Sequence, residues 1–193
     1  MSEPMWVPLG GGPGPQGPPG SSGAGIGTVL PVSPVNDQEY ILVDSLTAPT
    51  YQWLFRYLAA KASNRWLFIG GAGLRSEVAT AEVTSSGTYV ALATPGPSVT
   101  LPLAGIYDLA FGCHTSNKTG FMSFDFGVTG AVDLDSIENA WFGSFDGGGG
   151  GLSRIIRKTL AANQLAVIAK YRGQAGCQWK QRWLSVTPVA VGG

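Results

Sequence analysis

Near its start, the chain places a glycine at every third position, and this spacing restricts its conformation more than any other feature. Prolines fill several intervening positions, and four triplets follow one another between residues 11 and 23. Only glycine fits at the crowded axis where three polyproline II strands wind together, so a strict period of three predicts a triple helix. The glycines that would face this axis are Gly11, Gly14, Gly17, Gly20 and Gly23.

Four triplets are too few to hold three chains together unaided. A stalk of this kind therefore predicts a homotrimer whose chains are already joined by a domain farther along the sequence. We assign residues 11–27 to this collagen-like stalk. A flexible or extended polyproline II linker is the alternative interpretation, because the segment is short.

The rest of the chain has the composition of short strands joined by turns. Charged residues make up 12% of the sequence, whereas ordinary soluble domains contain about 25%. The chain also contains 29 glycines and 13 prolines. Together these features favour an all-β fold whose surfaces are partly covered by other protein.

Residues 28–73 are predicted to form a small aromatic β-hairpin module. Strands are expected at residues 40–43, 51–58 and 65–69. The period of two puts four aromatic side chains on one face of the second strand: Tyr51, Trp53, Phe55 and Tyr57. We interpret that face as the core of the hairpin, and a platform for sugar rings is the alternative. So small a module is expected to pack on its own copies or on the domain behind it.

Residues 74–193 are predicted to form a C-terminal, jelly-roll-like β-sandwich. Turns rich in Gly, Pro, Asn and Ser separate the expected strands, which are residues 77–83, 87–93, 98–103, 105–114, 120–129, 154–160, 164–171 and 182–191. This regular spacing favours a sandwich over a helical fold. Cys113 and Cys177 are too few for a disulfide scaffold and are expected to be buried thiols, although a bridge between them stays open.

Charge and hydropathy argue against two classes of partner. The 12 basic and 12 acidic residues balance. The basic cluster of Arg154, Arg157 and Lys158 is interpreted as a solvated strand edge, so no nucleic-acid binding is expected. No apolar run approaches the roughly 18 residues of a membrane span, so no membrane insertion is expected. The N-terminus also lacks the basic and apolar regions of a signal peptide.

No catalytic site, metal site or cofactor is predicted. His114 follows Cys113, but neighbouring residues of a strand point to opposite faces, and a zinc site needs about four ligands. The carboxylate group around Asp133 and Asp135 is interpreted as a solvated acidic loop rather than a calcium site or a glycosidase pair. We therefore expect a protein that is not an enzyme.

Residues 1–10 are a candidate anchor. They are too few to form a core, and their composition suits a peptide that docks onto a partner through Pro4, Trp6 and Pro8. Simple disorder is the alternative interpretation of this segment.

A glycine-rich loop is the candidate for contact with a receptor. Its aromatic residues are Trp141, Phe142 and Phe145. Such rings offer flat stacking surfaces for a polysaccharide or a surface protein. Burial between protomers is the alternative interpretation of these rings.

The order of stalk, aromatic hairpin and β-domain resembles the minor tail, fibre and appendage proteins of tailed bacteriophages, especially those of actinobacterial hosts. Residues 30–40 are similar to the "P-x-x-P-x-D/N-G-Q-E" entry of a recurrent virion module. Residues 53–57 and 65–71 are similar to its "W-x-L/F-R-Y … W-x-F-x-G-G" close. The last strands resemble those of the family's C-terminal domain, in residues 158–162, 170–172 and 182–189. Where the first motif often has glycine, this chain has Asp37.

Collagen-like triplets before a β-domain also resemble the trimeric jelly rolls of C1q and tumour necrosis factor, and residues 105–111 are similar to their "G-x-Y-x-F/L" strand. The phage resemblance implies a homotrimeric fibre or spike of the virion. It would be anchored to another virion protein and would contact host surface polysaccharide or protein. A decoration, collar or head-fibre protein without host contact is the first alternative, and a glycan hydrolase is the second.

Overall fold

The computed structural model describes residues 23–116, 120–127, 141–142 and 150–192. In these ranges the chain is all-β, as predicted, and no residue is helical. The strands are β1 (Gly25–Gly27), β2 (Glu39–Val43), β3 (Gln52–Tyr57), β4 (Trp66–Gly71), β5 (Leu74–Val78), β6 (Glu82–Thr84), β7 (Ser98–Thr100), β8 (Gly105–Ser116), β9 (Gly120–Asp125), β10 (Trp141–Phe142), β11 (Gly150–Leu160), β12 (Ala166–Gly173) and β13 (Cys177–Val191).

The long strand β13 organises the larger of two sheets. Within the described ranges that sheet has nine strands in the order β1-β2-β3-β4-β13-β8-β11, and β5 and β6 also pair with β13. One edge of β13 pairs antiparallel with β8. Its other edge pairs in turn with β6, β5 and β4. β4, β5 and β6, within residues 66–84, therefore pair one after another with the same edge of β13.

The smaller sheet packs its inner face on the larger one. Its order is β10-β9-β12-β7. Phe124 of β9 meets Phe111 of β8 with ring centres 4.7 Å apart, and Tyr171 of β12 lies 4.9 Å from Trp179 of β13. These four side chains have no exposed surface. The two sheets thus enclose one aromatic core, as in a β-sandwich.

The aromatic module is continuous with the larger sheet. β4 pairs directly with β13, and the Trp53 ring lies 6.5 Å from the ring of Tyr107 in β8. The expected aromatic face is confirmed as core for Trp53 and Phe55, which have no exposed surface, and for Tyr57, which is buried. Tyr51 is half-buried and lies one residue before β3. That face is therefore not a sugar platform, and the module packs on the domain behind it.

A bulge in β13 carries an arginine into the core. The register between β13 and β8 shifts between Lys180 and Trp183, and Gln181 there has a φ of 46°. The side chain of Arg182 has no exposed surface. It donates hydrogen bonds to the backbone carbonyls of Thr80, Thr94 and Gly96.

One predicted strand is divided where its backbone meets this arginine, and a second predicted strand does not form. The expected strand 77–83 is divided into β5 and β6, and Thr80 lies in the gap between them. The expected strand 87–93 is irregular apart from a bridge between Val90 and Tyr171. The Thr80 carbonyl accepts a hydrogen bond from Arg182 and therefore does not extend the ladder between β5 and β6.

The sheet begins at Gly25, inside the range assigned to the stalk. β1 pairs in parallel with β2, and the Tyr40 ring packs against its two glycines. A Cβ atom at Gly25 would lie 3.0 Å from that ring, and one at Gly27 would overlap the Tyr40 hydroxyl. Ile26 lies between the two glycines and is 55% exposed.

Asp37 forms the turn at which the chain departs from the phage motif. Its φ of 62° lies in the left-handed region that glycine favours, and its N–H donates to the Tyr57 carbonyl at 2.8 Å. Aspartate tolerates this conformation better than most side chains do. The turn is thus formed without the glycine.

The two cysteines are buried thiols and form no disulfide, as predicted. Burial raises the pKa of Cys113 well above its usual range and that of Cys177 to about 11. Because the thiolate is the reactive form, we expect no reaction of either thiol with Ellman's reagent in the native protein near neutral pH. Denaturation in guanidinium should expose both thiols of each chain. Fast modification of the native protein would contradict this burial.

Candidate functional site

The outer face of the smaller sheet carries an arginine that contacts two aromatic rings. In β12, buried residues alternate with partly exposed ones, which puts Lys170 and Arg172 on the outer face. The register places Arg172 opposite Phe121 of β9. The guanidinium carbon of Arg172 lies 4.3 Å from the centre of the Phe121 ring and 5.1 Å from that of Tyr89. We call Tyr89, Phe121 and Arg172 the arginine platform.

Tyr89 reaches the platform from an irregular segment that is tied to β12. Val90 and Tyr171 exchange two backbone hydrogen bonds of 2.9 and 2.8 Å. The Gly173 N–H donates to the Ser86 carbonyl at 3.0 Å. These bonds hold the Tyr89 ring over Arg172, and partial burial raises the pKa of the Tyr89 hydroxyl. Tyr89 therefore stays protonated and uncharged at neutral pH.

Glycine at the start of β9 lets the strand approach the core closely. A Cβ atom at Gly120 would lie 2.5 Å from the Trp179 ring and 2.8 Å from Cys177 Sγ. Since both neighbours are fully buried, neither has room to move away. Gly120 therefore has no room for a side chain, and Phe121, the next residue, lies on the outer face.

The two cations of the outer face have different surroundings. Lys170 Nζ lies 3.7 Å from Asp125 Oδ2, so a neighbouring carboxylate offsets its charge. The guanidinium of Arg172 instead has aromatic rings against it on β9 and on the Tyr89 segment. Rings stacked on a guanidinium attract its charge and hold its plane, while its edge keeps N–H donors for other groups.

These groups are suited to binding rather than to covalent chemistry. Aromatic rings stack on the apolar faces of sugars, and a guanidinium donates paired hydrogen bonds to carboxylate or phosphate oxygens. Cys113 is buried in the core, whereas His114 alternates to the other face of β8, as predicted. In the described ranges no three His, Cys, Asp or Glu side chains are grouped so as to hold a metal ion.

Part of the predicted receptor contact lies beside the platform. Trp141 and Phe142 form β10, in which Trp141 is the register partner of Phe121 and Phe142 that of Gly120. Gly23, the last triplet glycine, is exposed. The other predicted site residues lie outside the described residues: Pro4, Trp6, Pro8, Gly11, Gly14, Gly17, Gly20 and Phe145, together with Asp133 and Asp135 of the acidic loop.

Sequence reasoning missed all three residues of the arginine platform. Phe121 was an ordinary member of an expected strand, Arg172 lay just beyond another, and Tyr89 fell in a strand that does not form. One signal was available. Lys170 and Arg172 are two cations spaced by two in an otherwise apolar strand, which indicates the face that is turned away from the core. The pairing of β12 with β9 had no comparable signal.

No protein-family model matches the chain, and no curated protein matches it either. In the part of the chain that the structure describes, no helix has the length and apolar character needed to cross a membrane.

Proposed function

We propose that this chain is a non-enzymatic structural protein of a bacteriophage particle, a homotrimeric fibre or spike that binds the host surface. The observation that carries the binding role is the arginine platform, a cation with two aromatic rings against it on an outer sheet face. The glycine triplets support the assembly of three copies. In this proposal residues 1–10 attach the chain to another virion protein, and the β-domain is the jelly-roll-like outer part.

Binding would rest on stacking and charge. A sugar ring of the host envelope would lie against Phe121 or Tyr89, and an acidic or phosphate substituent would accept hydrogen bonds from Arg172. A single contact of this kind is weak. Three copies on one stalk would raise the apparent affinity by orders of magnitude, because the second and third contacts form at high effective concentration.

We expect Arg172→Ala and Phe121→Ala each to weaken binding of the full chain to actinobacterial cell envelopes by about tenfold per site, and by more in the trimer because the losses multiply. The measurement is retention of fluorescently labelled protein on purified envelopes at increasing protein concentration. Arg75→Ala is the matched control, since the Arg75 guanidinium lies 5.3 Å from the Trp183 ring on the larger sheet. That variant should bind like the wild type.

Other results would favour the alternatives. A wild-type protein that is part of the particle but is retained by no envelope would support a decoration, collar or head-fibre role instead. Release of reducing ends from envelope polysaccharide would support a glycan hydrolase. Equal losses in Arg172→Ala and Arg75→Ala would remove the arginine platform from the proposal.

A further inference from the structure

Exposed apolar side chains are concentrated in the module that follows the glycine triplets. In the described ranges, eight large apolar side chains are exposed, and six of them lie between residues 26 and 69. They are Ile26, Val29, Val32, Val35, Leu46 and Ile69. Exposed apolar surface gathered in one region marks a contact surface, whereas scattered single residues do not.

The strand register arranges several apolar residues of this module in one row. Ile26 is paired with Ile41, Ile41 with Leu54, and Leu54 with Gly70. The row lies on the face opposite the buried aromatic core, because neighbouring residues in a strand alternate. Ile69, at the bulge beside Gly70, is 37% exposed. We call Ile26, Ile41, Leu54 and Ile69 the apolar row.

The shape and charge of this face suit contact with protein. Ile41, Leu54 and Gly70 line a shallow groove of about 480 Å³. Toward the stalk, the next register pair on the same face is Glu39 with Arg56, whose side chains form an ion pair of 2.7 Å. These opposite charges lie at the end of the apolar row that is nearer the stalk.

We infer that the apolar row is a contact surface between copies of this chain, an inference that rests on the trimer of the proposed function. The last triplet glycine, Gly23, is two residues before the first residue of β1. Two residues span at most about 7 Å, so three chains wound together at Gly23 must bring their β1 strands close to one another.

Because β1 lies at the edge of the sheet, the residues beside it would form the surface that two copies share. Among the residues that the structure describes, β1 is the outermost strand on its side of the larger sheet. Ile26, at its centre, is the first residue of the apolar row and is more than half exposed in the single chain. Three short strands held near one axis would cover these isoleucines and shield the row from water.

The test is the oligomeric state of Ile26→Asp, measured by sedimentation equilibrium of the full chain. We expect a wild-type mass of about three times 20.0 kDa. A carboxylate forced into an apolar contact is strongly unfavourable, so the concentration for half-dissociation should rise at least about 100-fold. Ile155→Asp is the matched control, because Ile155 is 69% exposed on β11, the outermost strand at the other side of the same sheet. It should remain trimeric.

Disulfide crosslinking is a second test, which detects the contact directly rather than through loss of the trimer. Ile26→Cys should form disulfide-linked dimers on mild oxidation with diamide, whereas Ile155→Cys should not. The native thiols do not interfere, since Cys113 and Cys177 are buried. Unchanged circular dichroism of both aspartate variants would show that dissociation, where it occurs, is not unfolding.

The outcomes separate this inference from the proposed function. A monomeric wild type would overturn the trimer itself. A trimeric wild type with a trimeric Ile26→Asp variant and no Ile26→Cys crosslink would overturn only the assignment of the apolar row. If Ile26→Asp stays trimeric but no longer enters particles, the row belongs to another virion protein and the inference is likewise overturned.

Discussion

Replacing Arg182 with methionine should lower the free energy of unfolding by about 3–5 kcal/mol, because it leaves buried polar partners without a donor. The guanidinium donates to the carbonyls of Thr80, Thr94 and Gly96 at 3.2–3.4 Å. A methionine fills similar space but donates no hydrogen bond. Chemical denaturation followed by tryptophan fluorescence measures the change.

The neighbouring carboxylate adds a pH dependence to this effect. Hydrogen bonds from Thr94, helped by the charge of Arg182, lower the pKa of Glu82. A lowered carboxyl pKa stabilises the fold above the unfolded-state pKa, and this contribution is lost as the pH falls through the folded-state pKa. In Arg182→Met one cause of the lowered pKa is gone. The stability difference from the wild type should therefore shrink in acid, below about pH 4.

Arg75→Met is the control for Arg182→Met. Arg75 lies on the adjacent strand β5, forms an ion pair with Glu77, and has a side chain that is 58% exposed. An exposed pair of this kind contributes less than about 1 kcal/mol. Equal effects of the two substitutions would show that Arg182 does not hold the segment between β5 and β7 in place.

Replacing Phe111 with alanine should also lower the free energy of unfolding by about 3–5 kcal/mol, since the cavity lies where the two sheets meet. The Phe111 ring has no exposed surface and meets the ring of Phe124 at an angle of 82°. Phe124→Ala should have a similar effect. The double variant should show a coupling of about 0.5–1.5 kcal/mol between the two rings.

Phe68→Ala is the matched control for the cross-sheet pair. Its ring meets Phe55 edge-on at 5.9 Å, but within the larger sheet and partly exposed. Because less surface is lost and solvent fills the gap, we expect a clearly smaller cost. If Phe68→Ala were as damaging as Phe111→Ala, the contact between the sheets would not be the main source of stability.

The alternation of residues along single strands was predictable from the sequence. The aromatic face of β3 and the opposite placement of Cys113 and His114 both follow from the period of two, and the structure confirms them. Turn residues separated most of the strands at nearly the right places. These features depend on neighbours in the chain, and local patterns report them well.

Features that depend on distant partners were not predictable. Arg182 looked like an ordinary strand residue, and only the bulge at Gln181 turns it inward to divide β5 from β6. The arginine platform likewise needs β9 beside β12, a pairing between segments some 50 residues apart. No local pattern encodes which strands become neighbours, so neither the bulge nor the platform could be derived.

The position of β13 sets the order in which the larger sheet is completed during translation. Its partners β4, β5, β6 and β8 all leave the ribosome before residues 177–191 do. Until β13 is available, the backbone edges that it will occupy are open, and open strand edges pair with one another. Growing chains are thus exposed to wrong strand pairing until residues 177–191 have been translated.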